Sequence, residues 1–425
     1  MEFNRENLGG GVVFSRVTDK KFKSCSVKIS FITENSYESS AKSSLLFSIL
    51  ATSNAKLPSR TALTEAAEEL YGSYISSFCS RLGDYITAGL ECGFIADGNT
   101  IGKEVISTKA VDILLDCIFD PQLEGGLLSE EYFLMKQKEL CDAIAASVNN
   151  KRAYAVREAR KLIFKGEPAM YSDHGSIEDA MNITREDLSE HLSFLLENAV
   201  TEISVSSDGS TAECEKMIKD RFAPFTKRDI KPITYRKNSP LKAEPAFAEV
   251  AESINQSKMV MAFKSAYDDI YTVKLFSTMF GGAPFSMLFE NVREKLSLCY
   301  YCPSAYIDTK GTMIVDSGVE NSNLDAARDE IIKQLQQAAE GAFSDELLEN
   351  SKRFICDSFM SNYDSPYNMQ DWYSAQVTRG TAFSPDEICE KLNAVTREQI
   401  RDCAASFRLD TVFTVKATGE AVSAQ

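Results

Sequence analysis

The chain runs to 425 residues, more than one hydrophobic core normally serves, so two domains of about two hundred residues each are expected. With 44% hydrophobic and 25% charged residues it is an ordinary folding sequence, neither disordered nor of low complexity. Its formal net charge of −16 argues against nucleic acid or an anionic membrane as a partner, because both need a basic face.

Met1-Glu2-Phe3-Asn4-Arg5-Glu6 is not a basic segment leading into an apolar run, and no stretch nears the ~20 apolar residues of a membrane span, so a cytoplasmic location is expected. Cys25, Val27, Ile29 and Phe31 alternate with polar residues as a half-buried strand does, and a helix follows from about Ser39 to Ala51. A hairpin comes next. Tyr74, Ser76 and Phe78 share one side, Gly83-Asp84 turns the chain, and Ile86, Ala88, Leu90, Cys92 and Phe94 run back. Helices dominate from about Val105 to Glu197, a long amphipathic one opening at Ser129-Glu130-Glu131.

Between Thr226 and Pro245 lie Pro232, Pro240 and Pro245 among many lysines and arginines, a linker that divides a first domain over 1–225 from a second over 246–425. The second half has a strand near Lys258 to Phe263, a helix from about Tyr271 to Glu294, strands from Leu298 to Ile307 and Met313 to Gly318, then helices again. Strands that meander together and helices that follow in a block indicate α+β architecture.

An echo at half the chain length supports two like domains. Asn182-Ile183-Thr184-Arg185-Glu186-Asp187-Leu188 leads through a helix to a strand at Val200 to Val205, and Ala394-Val395-Thr396-Arg397-Glu398-Gln399-Ile400, 212 positions on, leads to another at Thr411 to Val415. In both, Thr reads as the N-cap, and Gln399 is placed to complete a capping box with Thr396. Ser344-Asp345-Glu346 likewise echoes Ser129-Glu130-Glu131.

Eleven cysteines, an odd number scattered through expected helices and strands, fit reduced buried thiols better than a disulfide framework. Cys299 and Cys302 are the one close pair, with two tyrosines between them on an expected strand and no second pair to complete a metal motif. Gly281-Gly282 lacks the further glycines or Gly-Lys-Ser/Thr of a phosphate loop and reads as a helix interruption before Pro284. Trp372, with Tyr363, Tyr367 and Tyr373, reads as core.

Phe164-Lys165-Gly166-Glu167-Pro168, Tyr171, Gly175, Ile177-Glu178 and Ile183 to Leu188 resemble the first-domain passage of the insulinase/pitrilysin-like (inverzincin) metallopeptidase family. Phe280-Gly281-Gly282, Leu288-Phe289-Glu290-Asn291-Val292-Arg293-Glu294-Lys295 and Leu298-Cys299-Tyr300 resemble its second-domain motif, so the resemblance spans nearly the whole chain. It implies two homologous α+β domains, each an antiparallel-rich sheet covered by a block of helices. Together they would form half of a clam-like chamber for unfolded peptide, usually closed by a second such chain.

Active members carry His-x-x-Glu-His on their first helix, where residues four apart share a face, two imidazoles grip one zinc and the Glu serves as general base. With Lys56-Leu57-Pro58 as the family's anchor just downstream, those positions fall here on Ser44, Phe47 and Ser48. Neither serine replaces a zinc ligand and Phe47 cannot take a proton. The two histidines, His174 and His191, are not helically paired with other ligands, and they read as a turn residue and an ordinary helix residue. Asp142 lies in the neighbourhood of the family's third ligand, a Glu, but one carboxylate does not hold catalytic zinc.

The resemblance therefore implies a zinc-less member without metal or cofactor, and without peptidase activity of its own. Arg293 and Tyr300 match the family's substrate-contacting pair, a permanent cation and a hydroxyl donor suited to a developing oxyanion. Ser297 departs from the Gly usual before the motif's Leu. The expected role is a non-catalytic or half-site subunit that binds peptide and lends Arg293 and Tyr300 to a zinc-bearing homologous partner. The alternative is a non-enzymatic scaffold or peptide-binding protein. The sequence leaves open whether the isolated chain forms a homodimer.

Overall fold

A computed structural model describes residues 1–418 of the chain. It opens on a hairpin of β1 (Glu2–Gly9) and β2 (Val12–Thr18). Gly9, Gly10 and Gly11 all take positive φ at the bend, a run that side chains with a Cβ would strain. In chain order there follow β3 (Ser24–Glu34), α1 (Tyr37–Leu50), β4 (Tyr74–Leu82), β5 (Tyr85–Ile95), α2 (Glu130–Ala146), α3 (Lys151–Ile163), α4 (Arg185–Asn198), β6 (Val200–Ser207) and α5 (Ala212–Phe222). Beyond the proline-rich stretch come β7 (Ala246–Glu252), β8 (Ser257–Lys264), α6 (Ile270–Ser277), β9 (Cys299–Tyr301), β10 (Ser304–Ile307), β11 (Thr312–Val319), α7 (Leu324–Ala339), α8 (Pro366–Val377) and β12 (Arg408–Ala417), with further helices between.

The fold is α+β, with two main sheets in two compact units. The first unit takes Met1–Ala146, Tyr171–Tyr235 and Asn362–Ala382; the second takes Ser147–Met170, Arg236–Ser361 and the chain from Phe383 on. The first sheet runs β1-β2-β6-β3-β5-β4, antiparallel except where β2 lies parallel to β6. The second runs β9-β11-β8-β12-β7, with β10 also on β11, and its one parallel pair is β7 with β12.

In the first unit, the alternation of β3 sends Cys25, Val27, Ile29 and Phe31 into a core shared with Leu45, Leu46, Phe47 and Leu50 of α1. Its polar positions face α8 instead. Ser26 Oγ donates to Gln370 Oε1 at 2.7 Å, Gln370 Nε2 donates to the Ser204 carbonyl at 2.8 Å, and Lys28 pairs with Asp371 at 2.8 Å. Trp372 and Tyr363 pack there against a small cluster of Val17, Phe22, Met369 and Tyr373, as their spacing suggested. In the second unit α3 does the corresponding work. Ala155, Ala159, Ile163 and the adjoining Phe164 pack on Val260, Ala262, Ile314, Phe413 and Val415.

Both expected Thr caps form. Thr184 and Asp187, and likewise Thr396 and Gln399, exchange side-chain and backbone hydrogen bonds as capping boxes. The helix expected from Tyr271 to Glu294 is interrupted: α6 widens into a π turn at Thr278–Gly282, and a second π turn covers Phe289–Lys295. Gly281 sits so close to Ser304 that a Cβ would lie 2.6 Å from its backbone nitrogen, and Pro284 lacks an N–H, so a regular helix cannot run through. The strand expected from Leu298 to Ile307 splits into β9 and β10, because Pro303 has no N–H to give the ladder. All eleven cysteines are free thiols. Among the described residues no helix is long and apolar enough to cross a membrane.

Candidate functional site

Helix α1 starts at a capping box of Ser36 and Ser39 and carries Ser44, Phe47 and Ser48 on adjoining turns. Ser44 Oγ lies 3.0 Å from His174 Nδ1, while Ser48 Oγ donates to the Leu45 carbonyl of its own helix at 2.7 Å. The Phe47 ring is fully buried and stacks on Phe31 at 5.6 Å between centroids. Position 47 thus belongs to the core. The donor set does not fit zinc, since two hydroxyls and a phenyl ring supply no imidazole, thiolate or carboxylate.

The histidines are accounted for one by one. His174 is exposed and held by Ser44. His191 on α4 is buried, with Nε2 2.9 Å from Ser43 Oγ. Burial pushes its pKa down to about 4; the nearby Lys42 ammonium acts in the same direction and Glu38 against it. Asp142 stands exposed on α2, paired with Lys138 one turn back. Among the described residues no group of three or more His, Cys, Asp or Glu side chains is placed to hold a metal ion.

Arg293 and Tyr300 come together in the second unit. They line a solvent-open cleft of about 390 Å3 with Glu294, Ser297, Leu298, Cys299, Glu320 and Asn323. The π turn delivers Arg293, whose guanidinium lies 4.8 Å from the Phe289 ring and 3.5 Å from Glu294. Ser297 then takes φ +51°, the left-handed conformation that a glycine adopts without strain, and its N–H donates to the Arg293 carbonyl at 3.0 Å. A serine held in this left-handed turn costs about 1 kcal/mol relative to a glycine.

Tyr300 follows on β9 with 60% of its surface exposed, and its hydroxyl donates to Glu320 Oε1 at 3.0 Å. That carboxylate raises the phenol's pKa and keeps it protonated. Beside it, a hydrogen bond from Cys302 lowers the pKa of the Cys299 thiol against the effect of burial, with help from the Arg293 charge. Sequence reasoning missed Glu320, twenty residues on from Tyr300, because an acidic residue at a strand end carries no local signal of the hydroxyl it will meet.

Residues 182–355 match the family model described as Peptidase M16 inactive domain. The probable inactive metalloprotease YmfF of Bacillus subtilis is 25% identical over 416 residues, 96% of each chain. An uncharacterized zinc protease of Rickettsia felis is 20% identical over 303 residues, 70% of this chain and 71% of that one. Among solved structures, a conserved protein from Enterococcus faecalis V583 superposes with a TM-score of 0.91 at 23% identity, covering 99% of this chain and 100% of that one. A peptidase M16 inactive domain from Pseudomonas fluorescens gives 0.81 at 14% identity, covering 98% of both. Residues 182–355 thus resemble a Peptidase M16 inactive domain, and over 96% of its length the chain is similar to a protein named a probable inactive metalloprotease.

Proposed function

We propose that this chain is a non-catalytic subunit that binds unfolded peptide and lends Arg293 and Tyr300 to the zinc site of a homologous partner. The observation that carries this reading is the shared cleft. Arg293 and Tyr300 sit together at an open surface, while the helix that would hold metal and base is packed as core. A fixed cation beside a protonated phenol suits a negative charge that develops on an attacked carbonyl. In the first unit, β4 ends its sheet with no described strand on its outer side. It lies against α1, with Cys79 Sγ 4.0 Å from the Ser40 carbonyl. An extended peptide would add there as a further strand, held by main-chain bonds that accept many sequences, inside a chamber closed by the partner.

The test is turnover by the complex reconstituted with its zinc-bearing homologue. Arg293→Ala should lower kcat/KM about 100-fold and Tyr300→Phe about tenfold, with assembly unchanged by sedimentation. Undiminished turnover in both variants would remove the catalytic contribution. It would favour the second reading, a scaffold or peptide-binding protein without an enzymatic role. That reading draws on the pairing already present, Tyr300 with Glu320 and Arg293 with Glu294, which leaves neither group waiting for a substrate.

A further inference from the structure

Helix α8 covers the polar face of the first sheet unevenly. Through Tyr373 the fit is close: Gln370 accepts from Ser26 and donates to the Ser204 carbonyl, while Met369 and Tyr373 pack beside Val17. Further along, Ser374, Ala375 and, just past the helix, Thr378 are small. So are several residues below them. Cross-strand pairing sets Glu202, Ser30, Gly89 and Phe78 in one row over β6, β3, β5 and β4, and Ile32, Thr87 and Ser80 in the next. Gly89 makes room for the Phe78 ring, which a Cβ there would meet at 3.1 Å. A cavity of about 180 Å3 is left between sheet and helix.

Its walls are of two kinds. Ile32, Phe78, Leu82, Tyr235 and Val377 supply apolar surface, while Arg5, Lys28 and Glu202 supply charge, one positive in excess. Glu202 holds Arg5 through two hydrogen bonds of 2.7 and 2.8 Å, so the excess rests on Lys28. The Lys28 ammonium lies 4.7 Å from the Phe78 ring, where the two kinds of wall meet. Its one carboxylate is Asp371 of α8 at 2.8 Å, 66% exposed and therefore a weak competitor for it. An ammonium has three donors, and Asp371 takes one. Among the described residues the Ser30 and Thr87 hydroxyls bond to no other group, although both line the cavity.

We infer that this cavity binds a small carboxylate with a compact apolar body, an aromatic or branched-chain acid. The carboxylate takes the donors of Lys28 and Ser30, and the hydrocarbon lies against Phe78, Ile32 and Val377. Size sets the limit. A cavity of roughly 150 Å3 holds a benzene ring, so one of about 180 Å3 admits a ring or a branched chain with its carboxylate and little more. A cation would meet the excess positive charge, and a wholly polar ligand would give up its water against the apolar wall without return. A free acid and the last residue of a peptide present the same chemistry. The site lies in the first unit and does not rest on the role proposed for Arg293 and Tyr300 in the second.

Titration calorimetry of the full chain at neutral pH should show phenylacetate and 4-methylpentanoate saturating one site with Kd below about 1 mM. Phenylacetamide, of the same shape without the charge, should bind at least about tenfold more weakly. Lys28→Met should weaken phenylacetate by about tenfold or more, and Asp371→Asn, which removes the competing carboxylate, should strengthen it about threefold. Ser30→Leu, which fills the cavity from its floor, should abolish binding with Lys28 in place. Trp372, the one tryptophan of the chain, follows Asp371 on α8, so unchanged emission in each variant checks that the helix keeps its seat. A peptide ending in Phe that binds more tightly than phenylacetate makes the ligand a peptide end; one that binds less tightly makes it a free acid, and either upholds the site. No saturable binding of either acid at about 5 mM overturns the proposal. So does phenylacetamide binding as well as phenylacetate, or binding undiminished in both Lys28→Met and Ser30→Leu.

Discussion

At position 47 a phenyl ring occupies the middle of the first unit's core, against Phe31 and between Leu46 and Leu50. An acidic residue there would bury a carboxylate without a partner and remove aromatic packing. Phe47→Glu is therefore expected to lower stability by at least about 3 kcal/mol in urea unfolding. His191 makes a second residue-scale prediction. Its pKa is about 4 in the folded chain and about 6.5 when unfolded, so below pH 6.5 the unfolded state binds the extra proton. The stability it contributes is complete above pH 6.5 and falls as pH drops towards 4, by up to about 3 kcal/mol. Unfolding followed between pH 7 and pH 4 should show that slope in the native protein and a flatter one in His191→Gln. The sequence made it legible that His174 and His191, seventeen positions apart, do not share one helix face as a pair four apart would. It did not show that His191 would be buried on Ser43, because an exposed and a buried helix position differ only in what packs on them.

Among the elements, β8 and β12 meet around a charge cluster that the proline-rich stretch closes. Asp410 is fully buried; Lys242 Nζ reaches it at 2.6 Å and Lys264 Nζ at 3.1 Å, and both ammonium groups also donate to the Ile163 carbonyl at the end of α3. Burial works against ionisation of Asp410, but the bonds from Lys242 and Thr411 and the Lys264 charge outweigh it and hold the carboxyl below its usual range. Asp410→Ala would leave Lys264 buried without its nearest counter-charge and should cost about 3–5 kcal/mol by denaturant unfolding, whereas exposed pairs such as Lys138 with Asp142 should cost little. Strands β3 and β5 and helix α1 were readable from alternation and periodicity. β1 and β7 were not: both lie at or near a sheet edge, where only part of one face is buried and the period-two signal fades. The break at Gly281 was legible as an interruption, but the π turn that contains it lies against Ser304 of β10, a contact no local pattern encodes.

Across the whole molecule, the grouping of strands and helices disclosed the α+β class. The pair at Arg293 and Tyr300 was legible only through its flanking motif; the cleft that joins them depends on the left-handed turn at Ser297 and on Glu320, both set by tertiary structure. The amphipathic faces of α3 and α8 show that each helix must be buried, but not on which sheet. The units are in fact interleaved in sequence, α3 completing the second and α8 the first.

That interleaving bears on the order in which the chain can fold as it is made. When the ribosome has delivered residues up to Tyr235, the first sheet has all six strands, but Ser26, Ser204 and Val17 still lack the helix that will cover them. Helix α3, already synthesised, has no sheet of its own to rest on until β8, β11 and β12 appear. Neither unit reaches its final state by itself. The first waits for Asn362–Ala382, and the apolar face of α3 stays uncovered through most of translation, which is the interval in which a nascent chain of this kind most needs a chaperone's shelter.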